Sequence, residues 1–425
     1  MAALTLVRGA EVFAPEPLGR RDLLIGAERI LRIAPHIPRP RPALISTRVV
    51  DARGRILCPG LVDQHVHLAG GGGEGGFDHR TPPLAFSQLT LAGVTTAVGL
   101  LGTDGVTRSV QDVVASTRAL TQLGITGYAY TGAYALPTRT ITGSVRADIL
   151  MVGEVLGCGE IAIADDRGSH PSEQDLAVLA AEARVGGLLS GKAGVVHLHV
   201  GDGVRGLSSL FRLVSDHEIP IRHLVPTHLN RRRALLEDAR RFAALGGTVD
   251  LTAGIRPEGP DHVSIAPWDA LKDLLLEGVD PARITMSSDA GGSSPIFDPQ
   301  GRLLTITQIQ PAVLWESVRR SVAVGVPLET VLATVTAHPA RVLELSHKGR
   351  VVEGADADFL LLDEDLGIRE VWARGRRLVA EGVAEVRGPF EPVDQGAPVR
   401  SHRERSRSRR ASSAPGDPPS ARPGS

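Results

Sequence analysis

Eight short apolar runs recur along the middle of the chain, most of them spaced roughly 30 to 35 residues apart, which suits a strand plus the helix that returns it. They are LVDQHVHL, VTTAVGLLG, TGYAYTGAY, EIAIAD, VVHLHV, IRHLVPTHL, GTVDLTAG and RITMSSD. Segments between them, such as DLAVLAAEARVGGLL and RRRALLEDARRFAAL, repeat apolar residues at helical intervals. Parallel strands need such crossovers, and eight βα units make a TIM (β/α)8 barrel, so the expected fold class is α/β. The competing open, doubly wound sheet would carry a glycine-rich dinucleotide fingerprint after its first strand, and none stands there.

The two ends read differently. Residues 1–58 hold the β-rich pieces LTLVRGAEVF, DLLIGAERILRIA and TRVVDARGRIL between Pro/Gly turns, and residues 346–390 return to that style with IREVWARGRRLVAEG. The expectation is a small β-sandwich domain formed by the N- and C-terminal segments beside a barrel over 59–345. Residues 391–425 are rich in Arg, Ser and Pro and offer almost nothing apolar to offset the entropy of ordering. They are expected as a disordered basic tail rather than an RNA- or phosphate-binding arm.

A chain of 425 residues has room for both parts, and its net charge of -1 argues against a dominant nucleic-acid field. No stretch approaches the roughly 20 unbroken apolar residues of a membrane span, and the N-terminus lacks a basic start followed by an apolar run. Cys58 and Cys158 are too few for a disulfide framework. A cytoplasmic protein with no membrane partner is expected.

His65 and His67 lie two apart in a strand-like run, so both imidazoles project from one face and can converge on a cation. Alone that spacing is only permissive. His199 ends the fifth run, His228 the sixth and Asp289 the eighth, at the carboxyl ends where barrel active sites assemble. Ligand-type side chains at the ends of several distant strands point to a metal site. His197 shares the strand parity of His199 but sits deeper, and is expected behind the ligands. His36, His79, His170, His217, His223, His262, His338, His347 and His402 fall in loops, helices or the tail and receive no metal role. The glycine run Gly70–Gly73 lacks the Gly-Lys-Ser/Thr ending of a phosphate-binding loop and reads as a flexible substrate loop.

PGLVDQHVHL, THLN, SSDAGG and the closing HPARVLELSHKGRVVEGADADFLLLD resemble the amidohydrolase superfamily over most of residues 1–388. GGGGEGG, GLLGTD, TGAY, RTITGSV, VGGLL and PTHLNR are more narrowly similar to its bacterial isoaspartyl dipeptidases. That resemblance implies hydrolysis of β-aspartyl dipeptides with two divalent ions, usually Zn2+, bridged by a hydroxide. It puts His65, His67 and Asp289 on one ion and His199 and His228 on the other, with Asp289 as general base and acid. It makes Tyr134 the donor to the developing oxyanion, Glu74 the partner of the α-ammonium, and Arg167 and Arg231 the grips on the carboxylates. Gly72, Thr103 and Ser293 become smaller substrate contacts, and a homo-oligomer is implied.

One position departs from the pattern. The family commonly bridges its metals with a carboxylated lysine on the fourth strand, but this chain has only Lys192, Lys272 and Lys348. Lys192 lies in the GGLLSGKAG connection and matches a loop lysine. Glu160, in VLGCGEIAIADDRG, falls opposite the missing lysine and offers the same two oxygens and single negative charge. Its arm is shorter by roughly 3–4 Å on ordinary bond lengths, so its strand must come inward or the site must loosen. In the alternative, Glu160 pairs with an arginine such as Arg167 and one metal remains. Two other functions compete: a cyclic amide hydrolase of hydantoinase or dihydroorotase type, and a catalytically impaired amidohydrolase-fold scaffold. The complete His65, His67, His199, His228 and Asp289 set disfavours the scaffold.

Overall fold

The computed structural model describes residues 3–41, 45–257, 263–297 and 303–392. The Arg/Ser-rich tail, His262 and His402 lie outside them. The described residues up to Arg387 form one compact unit.

Five strands open the chain: β1 (Leu4–Phe13), β2 (Pro17–Gly26), β3 (Arg29–Ala34), β4 (Thr47–Asp51) and β5 (Ile56–Pro59). Eight follow with helices between them: β6 (Leu61–Val66), β7 (Val94–Gly99), β8 (Thr126–Thr131), β9 (Val155–Ile163), β10 (Val195–Val200), β11 (Leu224–Thr227), β12 (Val249–Thr252) and β13 (Ile284–Ser287). A hairpin comes next, β14 (Ser293–Phe297) with β15 (Leu303–Gln308). The chain closes with β16 (Phe359–Leu362), β17 (Ile368–Ala373), β18 (Arg376–Ala380) and β19 (Val383–Ala384).

Strands β6 to β11 pair in chain order, each parallel to the next, and β12 pairs parallel with β13. Backbone bonds span the remaining seams: Leu229 N–H donates to Asp250 O at 3.4 Å, Asp289 N–H to His65 O at 3.2 Å and His67 N–H to Ala290 O at 2.7 Å. The eighth strand thus returns to the first, and the parallel sheet curls on itself. Every residue of β6, β7 and β9 to β13 is buried. Burial on both faces is why these strands read as nearly unbroken apolar runs rather than alternating ones.

The helices are bounded by local chemistry. Ser109 and Ser172 accept the N–H of the third residue of Val110–Leu123 and Glu173–Ser190, filling donors a helix start leaves open. Gly191 ends the second in the left-handed conformation at φ 66°. No helix among the described residues is long and apolar enough to cross a membrane.

Two elements differ from the sequence reading. The fourth parallel strand begins at Val155 rather than at Glu160, because VLGCG, glycine-rich and loop-like by composition, is strand. The sixth is shorter than IRHLVPTHL, since Ile221–His223 form a 3-10 turn ahead of it. The two chain ends meet as expected, yet by hydrogen bonding they form a single nine-stranded sheet, ordered β19-β18-β17-β16-β5-β1-β2-β3 with β4 beside β1. Its core includes Leu23, Ile25, Leu57, Phe359 and Trp372, the last two stacked at 5.4 Å.

Lys348 ties that sheet to the parallel one. Its Nζ donates to Asp356 Oδ2 and Asp358 Oδ2, both at 2.7 Å, and to Thr126 Oγ1 at 2.6 Å. All three ammonium donors are filled, and the side chain is only 4% exposed. Lys348→Met would leave the buried Asp358 without a cation, Asp356 keeping Arg29 at 2.7 Å, and removing one partner of a buried ion pair costs about 3–5 kcal/mol. Urea unfolding should read that loss, and a loss below about 1 kcal/mol would contradict the clamp.

Candidate metal centre

His65 lies within β6, and His67 follows its end. His199 is near the end of β10, His228 directly follows β11, and Asp289 stands two residues past β13. Two of these leave the strand sharply, His228 at φ 64° and Asp289 at φ 59°, a left-handed turn that costs a residue with a Cβ some strain. The turn swings each side chain across the end of the sheet.

Glu160 stands at the centre of the cluster. Its Oε2 is 3.5 Å from His65 Nε2, 3.2 Å from His199 Nδ1 and 3.5 Å from His228 Nε2, and its Oε1 is 3.3 Å from His67 Nε2. Asp289 Oδ1 closes the other side, 3.4 Å from His65 Nε2 and 3.2 Å from His67 Nε2. Three donor sets, each within 4.8 Å, emerge: His65, His67 and Glu160; His65, His228 and Asp289; Glu160, His199 and His228. Among the described residues, every cluster able to hold a metal is drawn from these six.

Glycines explain how the short arm of Glu160 arrives. A Cβ at Gly159 would lie 2.8 Å from His197 Cβ, and one at Gly157 would collide with Val195 O. Their absence lets β9 press against β10, where the pairing also shifts register between Val196 and Leu198. On the other side a Cβ at Gly102 would stand 2.9 Å from His67 Cε1 and 3.2 Å from Glu160 Oε1. The missing Cβ atoms leave room for close packing on both sides of Glu160.

The electrostatics suit a cation. Burial pushes the Glu160 carboxyl up, but His65, His199 and His228 overcome that and hold it well below the usual carboxylate range. Asp289 is likewise held down by His65 and His67 against its burial. His65 and His67 are pulled down by burial yet raised overall by the two carboxylates, so protons sit where a cation would. Burial and the neighbouring His199 bring His228 down to about 3, leaving its imidazole neutral. His65 Nε2 is buried and makes no hydrogen bond, although it faces both carboxylates. An orphaned ring nitrogen between two ionised carboxylates fits a metal ligand.

Other side chains hold the rings of the cluster from behind. His197 Nε2 meets His65 Nδ1 at 2.9 Å and its ring stacks on Tyr130 at 5.2 Å, so it lies behind the cluster. His228 Nδ1 meets Thr252 Oγ1 at 2.7 Å. Asp63 accepts the N–H of His65 and of Ser288, pinning the first parallel strand to the end of the eighth. His223 and His338 contact backbone carbonyls of Gly194 and Ile284 away from the centre.

The residues expected to meet substrate also come together. Glu74 Oε1 accepts from Thr103 Oγ1 at 3.1 Å and lies 3.4 Å from Arg167 Nη1, while its Oε2 accepts from Ser293 Oγ at 3.3 Å. Gly72, at φ 68°, runs beside Ser293 and His79, where a Cβ would be 2.8 Å from His79 O. The Tyr134 hydroxyl is 2.8 Å from His199 Nδ1, and Arg167 lies over its ring at 5.5 Å. Arg231 reaches to 3.8 Å from Asp165 and 3.7 Å from Asp202. Arg167 is paired with Asp165 and not with Glu160, which removes the alternative of an arginine-neutralised Glu160. Asp165 was not singled out from the sequence. Its only signal is the Asp-x-Arg spacing that follows the fourth strand.

A curled parallel α/β sheet with a metal-competent cluster at its carboxyl ends defines the class. The chain belongs to the amidohydrolase family, whose model matches residues 56–378. A β-aspartyl dipeptidase from Fervidobacterium islandicum AW-1, solved in complex with β-Asp-Leu dipeptide, is 40% identical, covers 91% of this chain and 100% of its own, and superposes with a TM-score of 0.83. A second structure of that dipeptidase gives 38% identity, the same coverages and 0.81. A dihydroorotase from Anaeromyxobacter sp. (strain K) is 31% identical over 170 residues, 39% of this chain and 36% of that protein. This chain thus spans about a third of the curated relative's length.

Gly102→Ala should displace His67 or Glu160 by several tenths of an ångström. We expect metal affinity to fall at least about tenfold with the circular dichroism spectrum unchanged. Wild-type affinity in that variant would show that the centre tolerates the shift.

Proposed function

We propose that this chain is a metal-dependent β-aspartyl dipeptidase, with the eight parallel strands acting as one (β/α)8 barrel and the terminal strands as a small β-sandwich companion. The observation that carries the reading is the Glu74–Arg167 pair beside the histidine cluster, an anion and a cation 3.4 Å apart. A β-aspartyl dipeptide brings one ammonium and two carboxylates, and Glu74 with Arg167 and the nearby Arg231 is the complementary set. The similarity to a dipeptidase holding β-Asp-Leu supports it. The partial likeness to dihydroorotase supports only a cyclic amide alternative, which has no ammonium for Glu74 to receive.

His65, His67 and Asp289 would hold one divalent ion and His199 and His228 a second, with Glu160 between them. Zinc suits the mixed nitrogen and oxygen donors. Bound there, the ions would lower the pKa of water and polarise the scissile carbonyl. The rest falls to the chain. Asp289, held ionised, takes a proton from the attacking water on its carboxylate and delivers it to the leaving amine. Burial pushes the Tyr134 phenol well above its usual range, so its hydroxyl stays protonated and donates to the developing oxyanion. Glu74 receives the α-ammonium, and Arg167 and Arg231 grip carboxylates. Thr103 and Ser293 fix Glu74, while Gly72 keeps the loop close.

Assays of β-Asp-Leu beside hydantoin and dihydroorotate, with zinc present, should give turnover of the dipeptide. Turnover of the cyclic compounds alone would replace this reading. Glu160→Ala should lose at least one ion per chain by elemental analysis and lower kcat/KM by at least about 100-fold, an interaction loss of about 2.7 kcal/mol. Full retention of two ions would reject the bridge.

A further inference from the structure

Asp165 stands two residues beyond β9, its side chain 6% exposed, and gathers three groups that the proposed chemistry uses separately. Its Oδ2 accepts from Arg167 Nη2 at 2.7 Å, meets His199 Nε2 at 2.8 Å and lies 3.8 Å from Arg231 Nη1. Its Oδ1 accepts from Arg167 Nε at 2.9 Å and from the Arg167 N–H at 2.8 Å. The side chain of Arg167 is therefore gripped at two nitrogens and its own backbone closes the ring.

An ionised carboxylate can only accept. Its contact with His199 therefore places a proton on Nε2, which leaves Nδ1, 3.2 Å from Glu160 Oε2, as the ring nitrogen that would meet a cation held there. The Tyr134 hydroxyl, 2.8 Å from Nδ1, stands on the same side of the ring as Glu160. Arg167 Nη2 also lies 3.1 Å from His199 Nε2, but each makes its shorter contact with the same Asp165 oxygen. The two donors are neighbours because they share an acceptor.

We propose that Asp165 is a positioning residue that couples the metal centre to substrate recognition, fixing His199 with Nδ1 toward Glu160 and holding the Arg167 guanidinium beside Glu74 and Tyr134. This rests on the dipeptidase reading above. Carboxylates that hold the far nitrogen of a metal-binding histidine set its tautomer and orientation, and losing one costs about 10–100-fold in metal affinity. A two-point grip on a planar guanidinium fixes its direction as well as its place. Asp165 touches no reacting atom. Its removal acts through two readouts at once, metal affinity by way of His199 and KM by way of Arg167.

The test compares Asp165→Asn with Arg167→Ala, both checked for an unchanged melting temperature. Zinc affinity is read by competition with a chelating dye, kcat and KM with β-Asp-Leu, and the His199 Nε2–H hydrogen bond by nitrogen-15 NMR of the zinc-loaded protein. Asp165→Asn is expected to weaken zinc binding about 10–100-fold, raise KM at least about tenfold and shift the His199 Nε2–H resonance away from its wild-type position. Arg167→Ala is expected to raise KM while zinc affinity stays within about twofold of wild type, since the Asp165–His199 contact survives. Wild-type zinc affinity and an unchanged His199 Nε2–H resonance in Asp165→Asn would overturn the proposal, as would equal zinc loss in both variants. A wild-type protein that binds zinc but leaves β-Asp-Leu intact would overturn the dipeptidase reading instead, and the zinc and NMR measurements still decide the role of Asp165.

Discussion

Four imidazoles converge on the two oxygens of one buried glutamate, and much else in the molecule serves that convergence. Glu160 is 1% exposed, so its charge has no water to spread into and must be met by side chains or a cation. His65 and His67 approach it from the first parallel strand, His199 from the fifth and His228 from the sixth. That gathering requires the eighth strand to return to the first, because Asp289 arrives from there. The backbone bonds from Asp289 and His67 across that seam close the sheet and set the ligand cluster in the same few residues.

The glutamate also dictates the packing around it. A side chain shorter than a carboxylated lysine needs its strand close to the centre, and Gly157 and Gly159 remove the Cβ atoms that would hold β9 away from β10. Gly102 clears the opposite side. The three glycines have no chemistry of their own, and their effect is to bring one carboxylate within about 3.5 Å of four rings. Polar groups behind the rings then hold their orientation, with His197 on His65, Thr252 on His228 and Asp165 on His199.

Much of this was legible in the sequence for identifiable reasons. The His65-x-His67 spacing follows from strand alternation, and His199, His228 and Asp289 could be placed because parallel-strand enzymes gather their sites at the carboxyl ends. The interval of the apolar runs gave the parallel strands. Glu160 came into view only because no lysine stood near the fourth strand. What stayed hidden depends on distant partners. The apolar run EIAIAD marked only the second half of the fourth strand, because the glycines of VLGCG lower strand propensity, whereas here their missing Cβ atoms allow the close packing of that strand. Asp165 carried no pattern beyond its nearness to Arg167. Nor could the pairing of β5 with β16 be read from residues some 300 positions apart, though the shared style of the two ends hinted that they meet.

The central claim is that Glu160 joins two cations, and anomalous diffraction at the zinc edge from crystals grown with zinc tests it most directly. The account predicts two peaks per chain, one among His65, His67 and Asp289 and the other between His199 and His228, with one Glu160 oxygen on each. A single peak, or two peaks with Glu160 turned away from both, would contradict it.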